Sequence, residues 1–444
     1  MNLGLKLVTR KYLSIALFIF SGVSNAADQP TLPQPLTLQA ALQYASKSDH
    51  YQLQSANEKL KQALAESQQS SSVSDISVNL GGRLRKVGVS DYAVDDNDND
   101  SMVSLFIRKP LYDFGKTSTR ESLSQLNSEL KQLEKDYLIE QRQLSITQKY
   151  FDVLNADNEF LRHNEDLAIG YIRYDHAREN KELGLSSELE VLEAQVAYEA
   201  IRQNRYNSEN MQRLTRILLA EELGFPESPP SEVAIPKQFS TVEIGDDVDK
   251  LVAQAFTHSL LLKIQQKKLD IAMQSIQLAR HTSGPRLDAE IEFSDYSRGG
   301  ATRDDWRASI YFDVPLYAGS VEKSAIDIAT AQYRQVLSDL HMVRSEIRIN
   351  VLRLWQSIRQ NELRLAGELI NQNFRDMNLD RSRAEYDLEF NTDLGDSMVQ
   401  FSDSRMKTYE ARFSLEMAWR TLQKLVGEEF LNSNSQNQND SNNG

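Results

Sequence analysis

Apolar residues recur at every second position in four short stretches of this chain and every three to four positions almost everywhere else. Ile76, Val78 and Leu80 alternate with Ser77 and Asn79, and Val103, Leu105 and Ile107 alternate with Ser104 and Arg108. Farther on, Leu287, Ala289, Ile291 and Phe293 alternate with Asp288, Glu290, Glu292 and Ser294. Trp306, Ala308, Ile310, Phe312 and Val314 alternate with Arg307, Ser309, Tyr311 and Asp313. A period of two marks strands with unlike faces. Four strands are therefore predicted, over about 75–90, 101–112, 286–296 and 306–316, as two hairpins, with Gly81-Gly82 read as a bulge or kink.

The remaining sequence has a helical period. Residues 116–181 contain no proline and one glycine, Gly170, while Leu123, Leu126, Leu130, Leu133, Tyr137, Leu144, Phe151 and Leu154 approximate a heptad seam. Val336, Leu340, Val343, Ile347, Leu354 and Ile358 do the same within 321–386. At a rise of about 1.5 Å per residue, each stretch is a rod of about 100 Å. Shorter helices are predicted over about 37–65, with Thr37 as cap, and over 187–223, 247–281 and 392–426, with a polar Gln/Ser break at 67–74. The order helix, hairpin, rod, turn, return helix thus occurs twice, in residues 27–224 and 246–427, joined by a proline-containing linker at 225–245.

Each rod follows a similar junction, Pro110-Leu111-Tyr112-Asp113-Phe114-Gly115 and Pro315-Leu316-Tyr317-Ala318-Gly319. Pro110 and Pro315 remove a ladder donor, Tyr112 and Tyr317 suit a membrane–water boundary, and Gly115 and Gly319 permit the chain to change direction.

Composition narrows the setting. Lys6, Arg10 and Lys11 precede an apolar run from Tyr12 to Phe20 and then Ser24-Asn25-Ala26, the pattern of a signal peptide over residues 1–26. Its removal leaves 47 of the 50 basic residues against 64 acidic ones, a formal charge of −17. Such an acidic exported chain is a poor nucleic-acid binder. With no cysteine, its stability comes from packing and assembly. Residues 428–444, rich in Asn, Ser and Gln, are expected to be disordered.

The strands have about the 9–11 residues that a membrane β-strand needs. Four strands are too few to close a barrel, whereas three chains supply twelve. On that reading Leu287, Ala289, Ile291 and Phe293 face lipid, and Asp288, Glu290, Glu292, Arg307 and Asp313 face the lumen. Catalytic and metal chemistry find no support. Asp96-x-Asp98-x-Asp100 lacks the Gly and Glu of a calcium loop, since Ser101 and Ile107 stand at those places, and the six histidines form no ligand cluster. The expected class is an α+β membrane protein that is not an enzyme and needs no cofactor.

The duplicated order, the two Pro-Leu-Tyr junctions and Tyr150-Phe151-Asp152-Val153-Leu154-Asn155-Ala156 resemble the outer-membrane efflux protein family, the TolC-like channel-tunnels, over essentially the whole mature chain. The resemblance implies a homotrimer with a twelve-stranded β-barrel in outer-membrane lipid, continued by a periplasmic α-helical barrel. It also implies two partners, a periplasmic adaptor (membrane fusion) protein and an inner-membrane transporter, ABC or proton-driven. The implied role is a passive exit duct for small-molecule efflux or type I protein secretion. Leu183-Gly184-Leu185-Ser186 and Leu388-Glu389-Phe390 take the place of the adaptor-docking turns. Glu190, Tyr386, Asn391, Asp393 and Asp396 fall where the family's periplasmic gate lies. The rival reading is a periplasmic coiled-coil adaptor or scaffold, which would carry one helical hairpin between small β-domains.

Overall fold

A computed structural model describes residues 32–427 except 48–49, 90–91, 93–94, 240–246, 301–302, 318 and 389–393. The signal peptide and the Asn/Ser/Gln tail lie outside the described residues, as does part of the linker. In chain order the elements are helices α1 (Leu38–Gln43) and α2 (Tyr51–Ser71), strands β1 (Ser77–Arg83) and β2 (Met102–Tyr112), and helices α3 (Lys116–Glu182) and α4 (Glu188–Leu223). The second half supplies α5 (Val248–His258), α6 (Leu260–Arg280), β3 (Arg286–Tyr296), β4 (Trp306–Asp313), α7 (Val321–Asp387) and α8 (Leu394–Val426).

The rods α3 and α7 are each 67 residues long, about 100 Å. The helices α4 and α8 return along one part of their own rods, while α2 and α6 cover another, and α3 packs on α8. Two buried clusters occupy equivalent places. The first joins Leu36, Leu38 and Ala41 to Ile146, Tyr150, Phe151 and Leu154 of α3, Leu219 and Leu223 of α4, and Phe413 of α8. The second joins Leu251, Val252 and Ala255 of α5 to Leu262 of α6, Leu340, Ile347, Val351 and Ile358 of α7, and Trp419, Leu422 and Val426 of α8.

Several boundaries differ from the sequence reading. The first helix is not continuous over 37–65. Thr37 Oγ1 accepts from Ala40 N at 3.2 Å to start α1, a 3₁₀ turn follows at Tyr44–Ser46, and α2 starts anew behind His50, whose Nδ1 accepts from Gln52 N. At its other end α2 runs through the Gln/Ser stretch to Ser71, because glutamine suits a helix, and Ser71 and Ser72 hydroxyls bond to the Gln68 carbonyl at 2.9 Å only at its end. The helix predicted over 247–281 breaks at the buried Ser259, whose hydroxyl accepts from Leu262 N and so caps α6. β1 is seven residues long rather than spanning 75–90, and the ladder runs straight through Gly81↔Ser104 and Gly82↔Val103 without a bulge. The register shift falls instead between Pro110 and Tyr112, where proline has no N–H to give. β4 ends at Asp313 rather than 316, ahead of Pro315.

The first cluster is closed by polar pins. Tyr150 donates its hydroxyl to Leu36 O at 3.0 Å and also contacts Ala234 O, fastening the parallel bridge Leu36↔Val233, and burial pushes its pKa up. Arg142, 1% exposed, donates to Ala45 O at 3.2 Å and to Glu222 O at 2.9 Å, and meets His50 Nδ1. Burial and the Arg142 charge lower the His50 pKa, against the opposing charges of Glu222 and Glu221. Burial opposes ionisation of Glu222, yet the Lys149 and Ser145 hydrogen bonds and the Lys149 and Arg142 charges outweigh it and its pKa is lowered.

Acid should therefore loosen this junction in two stages. His50 below its ordinary value means that the unfolded chain takes up a proton first, so stability is full above about pH 6.5 and falls below it. The Glu222 contribution holds to about pH 4.5 and is lost as the pH falls further. Thermal unfolding followed by circular dichroism should show the first decline flattened in His50→Gln. Arg142→Ala should cost about 2–4 kcal/mol at pH 7.5, because the carbonyls it serves lose their donor.

Candidate functional site

The four strands form one antiparallel sheet in the order β1-β2-β3-β4, so the two hairpins are joined through β2 and β3. Register sorts the side chains into rows. Val78, Ile107, Ile291 and Ala308 share one row, and Leu80, Leu105, Phe293 and Trp306 another, all on one face. On the other face Asn79, Phe106, Glu292 and Arg307 align, as do Ser77, Arg108, Glu290 and Ser309. The apolar face is not covered as it would be in a water-soluble sheet. Leu80 is 74% exposed, Ile310 72% and Phe312 64%. The side chains of Glu290 and Glu292 are only 12% and 14% exposed. Each apolar side chain left in water forfeits about 1.5–3 kcal/mol, so the apolar face is built for a non-aqueous phase.

The charged face is knit together. Glu290 accepts from Arg108, and Tyr311 Oη reaches it at 3.4 Å. Ser294 Oγ donates to Glu292 at 2.7 Å and shares a 2.7 Å hydrogen bond with Ser104. The predicted lumen residues Asp288, Glu290, Glu292, Arg307 and Asp313 all lie on this face. The reading had not included Arg286, Phe106 and Tyr311, although their place in the alternation could have found them.

At one end of the sheet, the connecting loops hold each other. Asp100, 3% exposed, pairs with Arg85 and Arg303, and Lys86 meets Asp98 at 2.8 Å. Asp95 accepts from Asn97 N at 3.0 Å and Gly299 N at 2.7 Å, and these hydrogen bonds lower its pKa. The aspartates are thus taken up by basic side chains and backbone donors. Among the described residues no group of three or more acidic or histidine side chains is placed to hold a metal. At the other end, Phe114 (φ 54°) and Gly115 (φ 96°) swing β2 into α3, and Asp113 Oδ2 caps the rod by accepting from Thr117 N at 2.7 Å. Gly319 (φ 67°) performs the second turn, with Pro315 and Tyr317 outside the strand.

About 100 Å away, Gly184 (φ 74°) ends α3 with Leu185 N bonded to Asn180 O at 2.7 Å, leaving Leu183 and Leu185 more than 70% exposed. Ser187 then starts α4. Glu190 does not reach across to Tyr386: its carboxylate accepts from Ser187 N at 2.6 Å while its own N donates to Ser187 Oγ at 3.3 Å, a reciprocal capping box. Tyr386 ends α7, 61% exposed, and no hydrogen bond joins it to Glu190 among the described residues. Glu389, Phe390, Asn391 and Asp393 lie outside the described residues, whereas Leu388 caps α7 and is exposed. Asp396, in the first turn of α8, lies 3.8 Å from Arg173 of α3, a partner that spacing alone did not reveal.

Residues 251–428 match the family model described as outer membrane efflux protein. That match makes the second half of the chain similar to the outer membrane efflux proteins. Outer membrane protein TolC of Vibrio cholerae serotype O1 is 26% identical over 253 residues, 52% of this chain and 57% of the relative, so the matched chain spans little more than half the relative's length. The CmeC outer membrane channel of Campylobacter jejuni superposes with a TM-score of 0.72 at 13% identity over 96% of this chain and 94% of that one. VceC of Vibrio cholerae gives 0.68 at 14% identity over 88% and 96%. These structural likenesses show the channel-tunnel fold. Proteins of the outer membrane efflux family are outer membrane channels with a periplasmic helical tunnel. No described helix is long and apolar enough to cross a membrane.

Near the tip α3 is gripped from both sides by consecutive residues. A Cβ on Gly395 of α8 would lie 2.7 Å from Ile169 Cγ2, and one on Gly170 would lie 2.8 Å from Ile201 Cδ1 of α4. Gly395→Ala should cost about 1–3 kcal/mol, because a branched methyl held near the backbone cannot retreat. Gly170→Ala should be close to neutral, since the end of Ile201 can swing away and alanine gains about 1 kcal/mol of helix propensity. Thermal unfolding of the two variants side by side checks the order.

Proposed function

We propose that three copies of this chain form a passive exit duct: a twelve-stranded barrel in the outer membrane that continues as a helical barrel across the periplasm. The observation that carries this reading is the sheet, whose apolar face is open, whose charged face holds its carboxylates in pairs with arginines, and whose edge strands β1 and β4 each pair on one side only. Inside a membrane an unpaired edge is untenable, so β4 of one chain pairs with β1 of the next.

The helices support the same closure. They pack in the order α4, α3, α8, α7, which leaves α4 and α7 as flanks. Along α7, exposed Val321, Ile328, Met342, Ile349, Leu363, Ile370 and Met377 fall at multiples of seven residues, a second seam facing away from the chain's own core. On α4, Leu189, Leu192, Val196, Met211 and Leu214 are also exposed. A neighbouring copy would cover both flanks in a closed ring.

The work of transport falls to partners. A periplasmic adaptor would dock at the turn Leu183-Gly184-Leu185-Ser186, and an inner-membrane transporter would supply the energy, for small-molecule efflux or type I secretion. Native mass spectrometry in detergent should give a trimer, and planar bilayers a steady conductance. Ile370→Lys combined with Leu363→Lys should leave monomers, by placing charges in the seam. A wild-type monomer that confers no conductance would overturn the proposal.

A further inference from the structure

We infer that Arg108, Arg286 and Arg307 mask the carboxylates of the barrel wall, so that the barrel passes cargo of either charge and these arginines, rather than the acids, set its ion selectivity. The inference rests on the exit-duct reading above.

Three acids, Asp288, Glu290 and Glu292, occupy successive inward positions on β3. By itself this wall would be a stack of negative rings. Each acid instead has its own arginine. Arg108 stands directly opposite Glu290 across β2 and β3 and pairs with it. Arg307 stands opposite Glu292 across β3 and β4, 3.9 Å away, and bridges from there to Asp304 at 3.8 Å. Arg286 reaches Asp288 along the same strand at 2.7 Å.

The burial within each pair decides what a passing solute meets. The acid side chains are 12%, 14% and 23% exposed, whereas their arginine partners are 56%, 46% and 63% exposed. In each pair the arginine is therefore the side chain a solute meets first. Arg108 is held in that position by the Phe106 ring, 5.2 Å from its guanidinium carbon, and Glu290 is held from below by Tyr311. In a chain with 64 acidic and 50 basic residues, an arginine for each of the three β3 acids, with Asp313 the fourth acid on this face, runs against the overall excess of negative charge.

Cross-strand pairs of opposite charge also steady a sheet by about 0.2–1 kcal/mol each, so a stability measurement alone does not separate masking from packing. Permeability does. With purified trimers in planar bilayers under a KCl gradient, R108Q and R307Q should each raise the potassium-to-chloride permeability ratio. The rise should be on the order of threefold, because each variant uncovers one carboxylate in each of the three chains. E290Q should lower the ratio, while the double variant R108Q/E290Q and the charge-conserving R108K should stay at the wild-type value. The inference is overturned if conducting single variants keep the wild-type ratio, or if R108Q and E290Q move it in the same direction. A wild-type trimer without conductance would overturn the exit-duct reading and this inference with it.

Discussion

A strand that meets lipid on one side has no water to take up its backbone hydrogen bonds, so every N–H and C=O within the membrane must be paired by another strand. Much of this structure follows from that demand. The hairpins of the two halves join through β2 and β3 over nearly their whole lengths, and all four strands share one register in which apolar side chains take one face and charged ones the other. Pro110 comes near the end of the ladder, at its register shift, and Pro315 just beyond β4, and the change to a helix follows within a few residues. The helices then carry their own hydrogen bonds into the aqueous compartment.

The two halves solve the same packing problem with different chemistry. Both rods are 67 residues long and their ends are offset by 205 residues. At that offset the buried Arg142 of the first rod corresponds to Ile347 of the second, which is also buried, and Tyr150 corresponds to Trp355. The polar choice in the first half has a local cause. There the chain entering α1 and the chain leaving α4 bring carbonyls of Leu36, Ala45, Glu222 and Ala234 into the core, and a buried carbonyl needs a donor. In the second half the corresponding break is handled within the helices by Ser259.

The sequence was informative where a property repeats along the chain. Alternation within Leu287–Ser294 revealed two faces, and heptad spacing revealed the rods, because each depends on a residue's neighbours in the chain. It was less informative where the partner lies on another element. Ser187, three residues before Glu190, is the local signal for the capping box in which the Glu190 carboxylate takes part. The grip of Gly395 on Ile169 and the approach of Arg173 to Asp396 depend on the crossing of α3 and α8, which no local pattern encodes. The arginine cover over the acids required knowing which strand pairs with which.

The equality of the two rods restricts how such a chain can change over time. Each additional residue in a helix advances it by about 1.5 Å and rotates everything beyond by about 100°. One residue gained in α3 alone would turn Ile169 and Gly170 away from Gly395 and Ile201 and leave its tip out of step with that of α7. Lengthening is tolerable only in whole heptads and only in both halves at once, with α4 and α8 extended to match. The length of the paired rods is thus nearly quantised, and a longer form would call for a duplicated insertion rather than a gradual drift in length.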